Sequence, residues 1–432
     1  MYRGLWRQRP VLVKLFLDSQ SARRHWTREK QGVEAIRNAS VRTPQLLVSG
    51  QLTDHTFALV FEFLPHAQTA LEVWDTLENQ SCRLAFLQRL VPLVGRLHEF
   101  GLVQKDLHLG NFLVSDQQFY AIDGDAICCR KSGKPLGLRA SSKNLALFFA
   151  QLEPRHDTLI EVVYQHYAKQ RNISDIRLLH QLMFDLPKIR RRRLHKYVKK
   201  CYRNCSEFSR SHTNGQVSLY RRDVQGEALD RLVRDPDAFM RDGEILKAGN
   251  TCKVVRVKLD DCDWVIKRYN IKNSLHALSR CFRPTRAWTS WGNAHHLKIS
   301  GIATPRAVAV IEKRFGPLRS TGYYVCDFQE GPLASDFFAA GDFNSPLLRD
   351  AAQNFVFLFE LFRKLGIHHG DCKATNFLLV DNAPCVLDLD AMREPLSYEN
   401  FNRLFQADRG RFLQNWQSQP DLHKWFDDHL PQ

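Results

Sequence analysis

Residues 101–127 read GLVQKDLHLGNFLVSDQQFYAIDGDAI, and residues 366–392 read GIHHGDCKATNFLLVDNAPCVLDLDAM. Each stretch contains an Asp, an Asn five positions later that is followed by Phe-Leu, and a second Asp seventeen positions after the first. The three polar residues are offset by 265 between the stretches and are Asp106, Asn111 and Asp123, then Asp371, Asn376 and Asp388. Such a repeated spacing with shared apolar flanks predicts an internal duplication.

The surroundings of the two stretches also repeat. A helix-period pattern of apolar residues precedes each one and ends at a glycine, Gly101 or Gly366. Further upstream, two short strand-like runs, VLVK and DWVIK, end at Lys14 and Lys267. The order of strands, helix, strands and helical lobe therefore occurs twice, which predicts an α+β chain. We expect one domain over residues 1–204, a polar linker over 205–242 and a second domain over 243–432.

The residue types of the second stretch suit phosphoryl transfer. That reaction needs a carboxylate for the acceptor hydroxyl, a pair of magnesium ligands and basic groups for the phosphates. The HGDCKATN segment has the H-x-D-x-x-x-x-N spacing of a kinase catalytic loop. Asp371 is then the predicted base, Lys373 the group that neutralises the transferred phosphoryl group, and Asn376 with Asp388 the predicted magnesium ligands.

The nucleotide would be held by residues upstream. Lys267 is the predicted phosphate lysine, and the AGNT segment at residues 248–251, with Gly249, is a candidate phosphate loop. The first copy keeps a corresponding set, in which a helix Glu is placed to pair with the lysine. These residues are Lys14, Glu29, Asp106, Asn111 and Asp123.

The composition limits the class of protein and the compartment that we expect. The chain has 432 residues, of which 44% are hydrophobic and 25% charged, so it is long enough for two folded domains. Its 11 Cys show no metal-ligand spacing, which predicts reduced thiols in a reducing compartment. No apolar run predicts a membrane span or a secretion signal.

A net charge of +16 predicts an acidic partner. Residues 188–203 contain nine Lys or Arg and no acid, interleaved with Leu, Tyr and Val. This segment fits either a basic amphipathic helix lying on an anionic membrane surface or a solvated helix that closes a domain. No base-reading motif accompanies it, so nucleic acid is not an expected partner.

On these motifs, both halves resemble the protein-kinase superfamily, which implies two tandem bilobal domains, each with a small β-rich N-lobe and a larger helical C-lobe. Residues 264–331 resemble more narrowly the lipopolysaccharide core kinases that act on Kdo or heptose. The likeness lies in IKRYN, RPTRAWTSWGNAHHL, GIATPRAVAVIEKR and YYVCDFQEG. It implies phosphorylation of an inner-core sugar from ATP with Mg²⁺, by a cytoplasmic protein peripheral to the bacterial inner membrane.

The first copy departs from the kinase pattern at two places. Gln104 stands where His369 stands in the second copy. Aligning Lys14 with Lys267 also places Met1 opposite Val254, so the first strand and phosphate loop would fall before Met1. Either this half clamps nucleotide poorly or the true start lies upstream. We therefore expect the second half to do most of the chemistry.

The second copy lacks the helix Glu, since its matching segment reads SWGNAHH. Asn293, His295 and Glu312 are the candidates to replace it. The departures keep two other hypotheses open: a kinase for a small soluble or protein hydroxyl, and a pseudokinase that binds or scaffolds core-assembly enzymes. Magnesium-dependent ATP turnover separates the kinases from the scaffold.

Overall fold

The computed structural model describes residues 1–17, 20–53, 55–129, 134–213, 215–249, 252–259, 261–270, 283–394 and 397–432. Over these residues the chain has a mixed α+β structure. It divides into two compact units, Met1–Arg193 and Leu194–Gln432. No helix in the described ranges is both long and apolar enough to cross a membrane.

The first unit contains a four-stranded antiparallel sheet in the order β1-β2-β4-β3, and helix α1 packs on it. Its strands are β1 Tyr2–Trp6, β2 Arg9–Phe16, β3 Leu46–Thr53, β4 Thr56–Glu62, β5 Gln68–Thr69, β6 Leu102–Gln104, β7 Phe112–Ser115, β8 Gln118–Ala121 and β9 Ile127–Cys129. Its helices are α1 Ala22–Asn38, α2 Ala70–Thr76, α3 Gln80–Glu99, α4 Leu138–Phe149, α5 Ile160–Gln170 and α6 Arg177–Lys200, and the unit boundary falls within α6.

Helix α3 shows why the helical part of this unit forms where the periodicity predicts. The Asn79 side chain accepts a hydrogen bond from the Cys82 N–H and so caps the first turn. Apolar residues of one face, such as Leu90 and Val94, are then buried in the core. The helix ends just before Gly101, whose φ of 73° reverses the chain into β6.

The second unit contains a seven-stranded antiparallel sheet in the order β10-β11-β15-β16-β14-β13-β12. Its strands are β10 Phe208–Thr213, β11 Gln216–Arg221, β12 Glu244–Ala248, β13 Cys252–Leu259, β14 Cys262–Tyr269, β15 Ala307–Phe315, β16 Leu318–Asp327, β17 Phe377–Val380 and β18 Ala383–Val386. Its helices are α7 Glu227–Arg234, α8 Pro236–Asp242, α9 Arg286–Ile299, α10 Ala334–Ala339, α11 Pro346–Leu365, α12 Tyr398–Gln414 and α13 Pro420–His429.

Residues 205–242 are not the polar linker that the sequence predicted. They form the hairpin β10–β11 and the short helices α7 and α8. Strand β11 pairs with β15, and its Val217 and Leu219 are fully buried. Most of the polar residues of the SRSHTNGQ stretch lie on β10, the edge strand of the sheet, where they are exposed or half-buried.

The helical part of the second unit is built around α11. The Ser345 side chain caps its first turn, and Gly366, with a φ of 68°, ends it. The buried face carries Phe355, Phe359 and Phe362, and the rings of Phe355 and Phe359 pack with aromatic residues of α12 and α13. This core supports the loop that follows Gly366, which holds the candidate catalytic residues.

Candidate active sites

In the second unit, Asn376 joins the loop of Asp371 to the segment that leads to Asp388. The Asn376 Nδ2 group donates to the Asp371 backbone oxygen at 2.8 Å and to Asp371 Oδ2 at 3.1 Å. The Leu387 N–H in turn donates to the Asn376 backbone oxygen at 2.8 Å. The three residues predicted as base and metal ligands therefore belong to one hydrogen-bonded framework.

A carboxylate that the sequence reasoning missed holds this loop from behind. Asp408, on α12, is buried and accepts hydrogen bonds from the backbone N–H groups of His369, at 2.7 Å, and Gly370, at 3.0 Å. The buried His369 ring donates from Nε2 to the Leu387 backbone oxygen at 3.0 Å. Charge-assisted bonds to two backbone donors fix the direction in which the chain enters Asp371.

The first unit repeats this framework. Asn111 Nδ2 donates to the Asp106 backbone oxygen at 2.7 Å, and the Ile122 N–H donates to the Asn111 backbone oxygen at 3.0 Å. Gln104 Nε2 donates to the Ile122 backbone oxygen at 3.0 Å. That bond matches the one from His369 to Leu387, so Gln104 substitutes for the missing histidine in its structural role.

The second aspartate of each motif lies in a left-handed turn. Asp123 has a φ of 65° and Asp388 a φ of 52°, a conformation that costs energy for a residue with a side chain. Asp388 lies just beyond a strand, because β18 ends at Val386. Burial, and then the nearby Glu29 carboxylate, raise the pKa of Asp123 above its ordinary value.

In the first unit, Lys14 and Glu29 form the predicted pair. Lys14 Nζ on β2 lies 2.9 Å from Glu29 Oε2 on α1, and the Glu29 side chain is 4% exposed. The same Glu29 oxygen accepts the Asp125 backbone N–H at 2.9 Å. Glu29 therefore ties the strand lysine to the Asp123-Gly124-Asp125 turn.

Two glycines allow this close approach of helix and turn. A Cβ atom on Gly32 would lie 1.9 Å from the Gly124 backbone oxygen, and one on Gly124 would lie 2.3 Å from the Glu29 backbone oxygen. Both contacts are to backbone atoms, which have no rotamer that would relieve them. Only glycine at both positions lets α1 reach the turn closely enough for Glu29 to bond the Asp125 N–H.

In the second unit, Lys267 is held by a different set of acids. Its Nζ pairs with Asp388 Oδ1 and lies 3.8 Å from Asp390 Oδ2. Asp390, whose side chain is 6% exposed, is held in turn by Arg286 Nη2 of α9 at 2.7 Å. Burial opposes ionisation of Asp388, but Lys267 and then Arg286 bring the pKa of Asp388 below its ordinary value.

None of the three predicted substitutes for the helix Glu pairs with Lys267. Glu312 accepts a hydrogen bond from Thr285 Oγ1 at 2.9 Å and pairs with Arg314. Both ring nitrogens of the buried His295 lack a hydrogen-bond partner in the described part of the chain. Asn293 Nδ2 donates to the backbone oxygens of Leu389, at 2.7 Å, and Met392, at 2.9 Å.

The residue between the two aspartates explains the difference. Leu389, which is buried, stands where the first unit has Gly124. In the second unit the contact from helix to turn is made by the Asn293 amide, which donates to the Leu389 and Met392 backbone oxygens, instead of by a glutamate carboxylate.

One feature of the turn is nevertheless repeated. The last aspartate of each D-x-D turn pairs with a basic side chain of a helix, which is α1 in the first unit and α9 in the second. Asp125 Oδ1 lies 3.0 Å from Arg28 Nε, and Asp125 Oδ2 lies 2.7 Å from His25 Nδ1, as Asp390 pairs with Arg286. The repeated acid two positions after the second motif aspartate is a sequence signal that could have identified both pairs.

The carboxylates of Asp371 and Asp106 also have basic neighbours. Arg411 Nη1 of α12 pairs with Asp371 Oδ1, and Lys373 Nζ lies 3.4 Å from the same oxygen. In the first unit, His108 Nε2 lies 3.6 Å from Asp106 Oδ2. His108 occupies the motif position of Lys373.

The predicted nucleotide-binding side differs between the units. In the sheets, β13 and then β12 lie on one side of the strand of Lys267, whereas β1 alone lies on one side of the strand of Lys14. Gly249 lies just after β12, and its N–H donates to the Cys252 backbone oxygen at 3.1 Å. Asn250 and Thr251, which complete the candidate phosphate loop, lie outside the described residues.

The predicted metal ligands fit magnesium in one specific respect. Asn376 and Asn111 each use the side-chain NH₂ for the loop hydrogen bond, and neither amide oxygen accepts a hydrogen bond from the described residues. Magnesium takes oxygen ligands and keeps several waters and phosphate oxygens, so one amide oxygen and one carboxylate suffice. The described residues contain no group of three or more His, Cys, Asp or Glu side chains that could hold a metal ion.

No profile of a known protein family matches this chain, and no curated protein matches it either.

Proposed function

We propose that the chain is a phosphotransferase that uses ATP and Mg²⁺ and consists of two protein-kinase-like bilobal domains. The observation that carries the proposal is the hydrogen-bonded framework that occurs in both units. In each unit the asparagine side chain donates a hydrogen bond to the first aspartate, and the asparagine backbone oxygen accepts one from the residue before the second aspartate. A surface aspartate in a turn has no need of such a framework. Phosphoryl transfer does, because it depends mainly on positioning and on charge compensation.

In the second unit, Asp371 orients the acceptor hydroxyl and takes its proton. Asn376, through its amide oxygen, and Asp388 hold the metal, which when bound offsets the charge on the phosphates. Lys267 lies close to Asp388 and is placed to bind phosphate oxygens on the same side. Lys373 neutralises charge on the transferred group. In the first unit, Asp106, Asn111, Asp123 and Lys14 have these roles, with Glu29 orienting Lys14.

The acceptor is an inner-core sugar of lipopolysaccharide, heptose or Kdo. This part of the proposal is supported by the resemblance of residues 264–331 to the core kinases. Such an acceptor is held in a membrane by its lipid end, so the enzyme would act at the cytoplasmic face of the bacterial inner membrane, as a peripheral protein.

Helix α6 offers a surface of suitable chemistry within the first unit. Phe184 and Met183 are 62% and 44% exposed, and Lys188 Nζ lies 3.2 Å from the centre of the Phe184 ring. Arg190 does not belong to this surface, because it forms a buried pair with Asp157 at 2.8 Å. Sedimentation with anionic vesicles tests the surface, and Lys188→Gln should weaken binding in a salt-sensitive way.

The decisive experiment measures transfer of the terminal phosphate of ATP to purified core oligosaccharide. We expect magnesium-dependent transfer and thermal stabilisation by ATP with Mg²⁺, and Asp371→Asn should abolish the transfer but not the stabilisation. Stabilisation without any transfer would support a scaffold that binds nucleotide. Transfer only to a small soluble compound or to a protein hydroxyl would refute the choice of acceptor.

A further inference from the structure

We infer that Arg411 forms an anion-binding subsite beside Asp371, and that the acceptor of the second unit carries a phosphate or carboxylate group near the hydroxyl that is phosphorylated. The inference rests on the proposed function, since it takes Asp371 as the residue that receives the acceptor hydroxyl.

Both oxygens of the Asp371 carboxylate are already bonded. Arg411 Nη1 pairs with Oδ1, and Lys373 Nζ lies 3.4 Å from that oxygen. Asn376 Nδ2 donates to Oδ2 at 3.1 Å. Each carboxylate oxygen can accept more than one hydrogen bond, so an acceptor hydroxyl that bonds Asp371 would lie beside the Arg411 guanidinium. The Asn376 bond belongs to the loop framework, so Arg411 is the neighbour that can turn toward a bound ligand.

The chemistry of the acceptor decides whether Arg411 contributes to binding. A neutral acceptor offers the guanidinium no charge to bind. An acceptor with a phosphate or carboxylate beside its hydroxyl supplies a new partner for the guanidinium, whose planar fork suits either anion. The Arg411 side chain is 47% exposed, so it can contact a ligand that arrives from solvent.

The position of Arg411 is set by the fold. It lies on α12 three residues after Asp408, whose carboxylate holds the backbone of His369 and Gly370. Residues three apart on a helix share one face, so the helix that fixes the catalytic loop also directs Arg411 at Asp371. Arg411 is thus placed by a rigid element rather than by a loop.

Binding of three matched sugars to the full chain tests the inference: glucose, glucose 6-phosphate and glucuronate, each with Mg²⁺ and a non-hydrolysable ATP analogue present. Calorimetry should show at least one of the anionic sugars binding about tenfold more tightly than glucose, as expected for a charge-assisted bidentate contact. Which of the two binds more tightly identifies the anion.

Variants then assign the effect to the subsite. Arg411→Gln should remove the preference, whereas Arg403→Gln should keep it, because Arg403 is an exposed arginine of the same helix that bonds only Asn400 among the described residues. Asp371→Asn should bind the anionic sugar several-fold more tightly, since the carboxylate that competes for Arg411 is gone. If Arg411 only stabilised the fold, Asp371→Asn would not bind the anionic sugar more tightly.

Several outcomes would overturn the inference. No preference for an anionic sugar in the wild-type chain, an unchanged preference in Arg411→Gln, or weaker anion binding in Asp371→Asn would each do so. If the ATP analogue binds with Mg²⁺ in those experiments, the proposed kinase function stands and only the subsite is refuted. Failure of the nucleotide itself to bind would refute the proposed function instead.

Discussion

Replacing Arg286 by Gln tests the pairing that holds Lys267 in the second unit. Arg286 Nη2 lies 2.7 Å from Asp390 Oδ2, and the Asp390 side chain is 6% exposed. After the substitution the Asp390 carboxylate would remain buried beside Asp388, with Lys267 at 3.8 Å as its remaining cation in the described structure. We expect both the stability of the unit and its affinity for nucleotide to fall.

The magnitude follows from the burial of the two partners. Breaking a fully buried ion pair costs about 3–5 kcal/mol. Arg286 is 37% exposed and Lys267 stays close, so we expect the free energy of unfolding to fall by about 2 kcal/mol. For a unit of this size that corresponds to about 4–8 °C in Tm. Asp390→Asn should cost less, because it also removes the repulsion between Asp390 and Asp388.

The pH dependence of the stability loss in Arg286→Gln gives a second, independent test. Burial, and then the charge of Asp388, raise the pKa of Asp390, and loss of Arg286 should raise this pKa further. A carboxyl with a raised pKa in the folded state binds its proton more readily there than in the unfolded chain. The deficit of Arg286→Gln should therefore be absent below the ordinary carboxyl range and develop as pH rises through the raised pKa.

Urea unfolding at a series of pH values measures both effects, and titration with ATP and Mg²⁺ measures the nucleotide affinity. Arg283→Gln is the matched control, since Arg283 is an exposed arginine three residues earlier. If Arg286→Gln and Arg283→Gln unfold at the same urea concentration at neutral pH, or if the deficit grows on acidification, the pairing does not hold the site.

Three further results are expected. Gly32→Ala should lower the free energy of unfolding by about 2 kcal/mol in urea, because its Cβ would meet a backbone oxygen at 1.9 Å, whereas Gly50→Ala, with nothing within 4 Å, should be near neutral. Burial lowers the pKa of His295 to about 3, so stability should fall by about 2 kcal/mol between pH 6.5 and 5, and His295→Phe should reduce that slope. In transfer assays Asp371→Asn should be inactive while Asp106→Asn keeps a substantial fraction of activity; the reverse would assign the chemistry to the first unit.

The sequence by itself determined the repeated elements and the framework of the two sites. Motif spacing located Asp106 with Asn111 and Asp371 with Asn376, because these partners lie five residues apart in a loop whose hydrogen bonds are local. Apolar periodicity located α3 and α11, since a helix that buries one face repeats its pattern every three to four residues. The pairing of Lys14 with Glu29 was also predicted, and the structure brings them together.

Only the tertiary structure decided the contacts between residues that are distant in sequence. Asp408 lies 37 positions after Asp371, and Arg286 lies 104 positions before Asp390, so no local pattern joins them. The polar residues of 205–242 suggested a linker because loops and the exposed side of an edge hairpin have similar compositions. Only the pairing of the hairpin with β15 distinguishes the two. The difference between Gly124 and Leu389 matters only because a helix packs against the turn. The packing distance between helix and turn decides which acid reaches the lysine, which is Glu29 for Lys14 and the acids of the turn for Lys267.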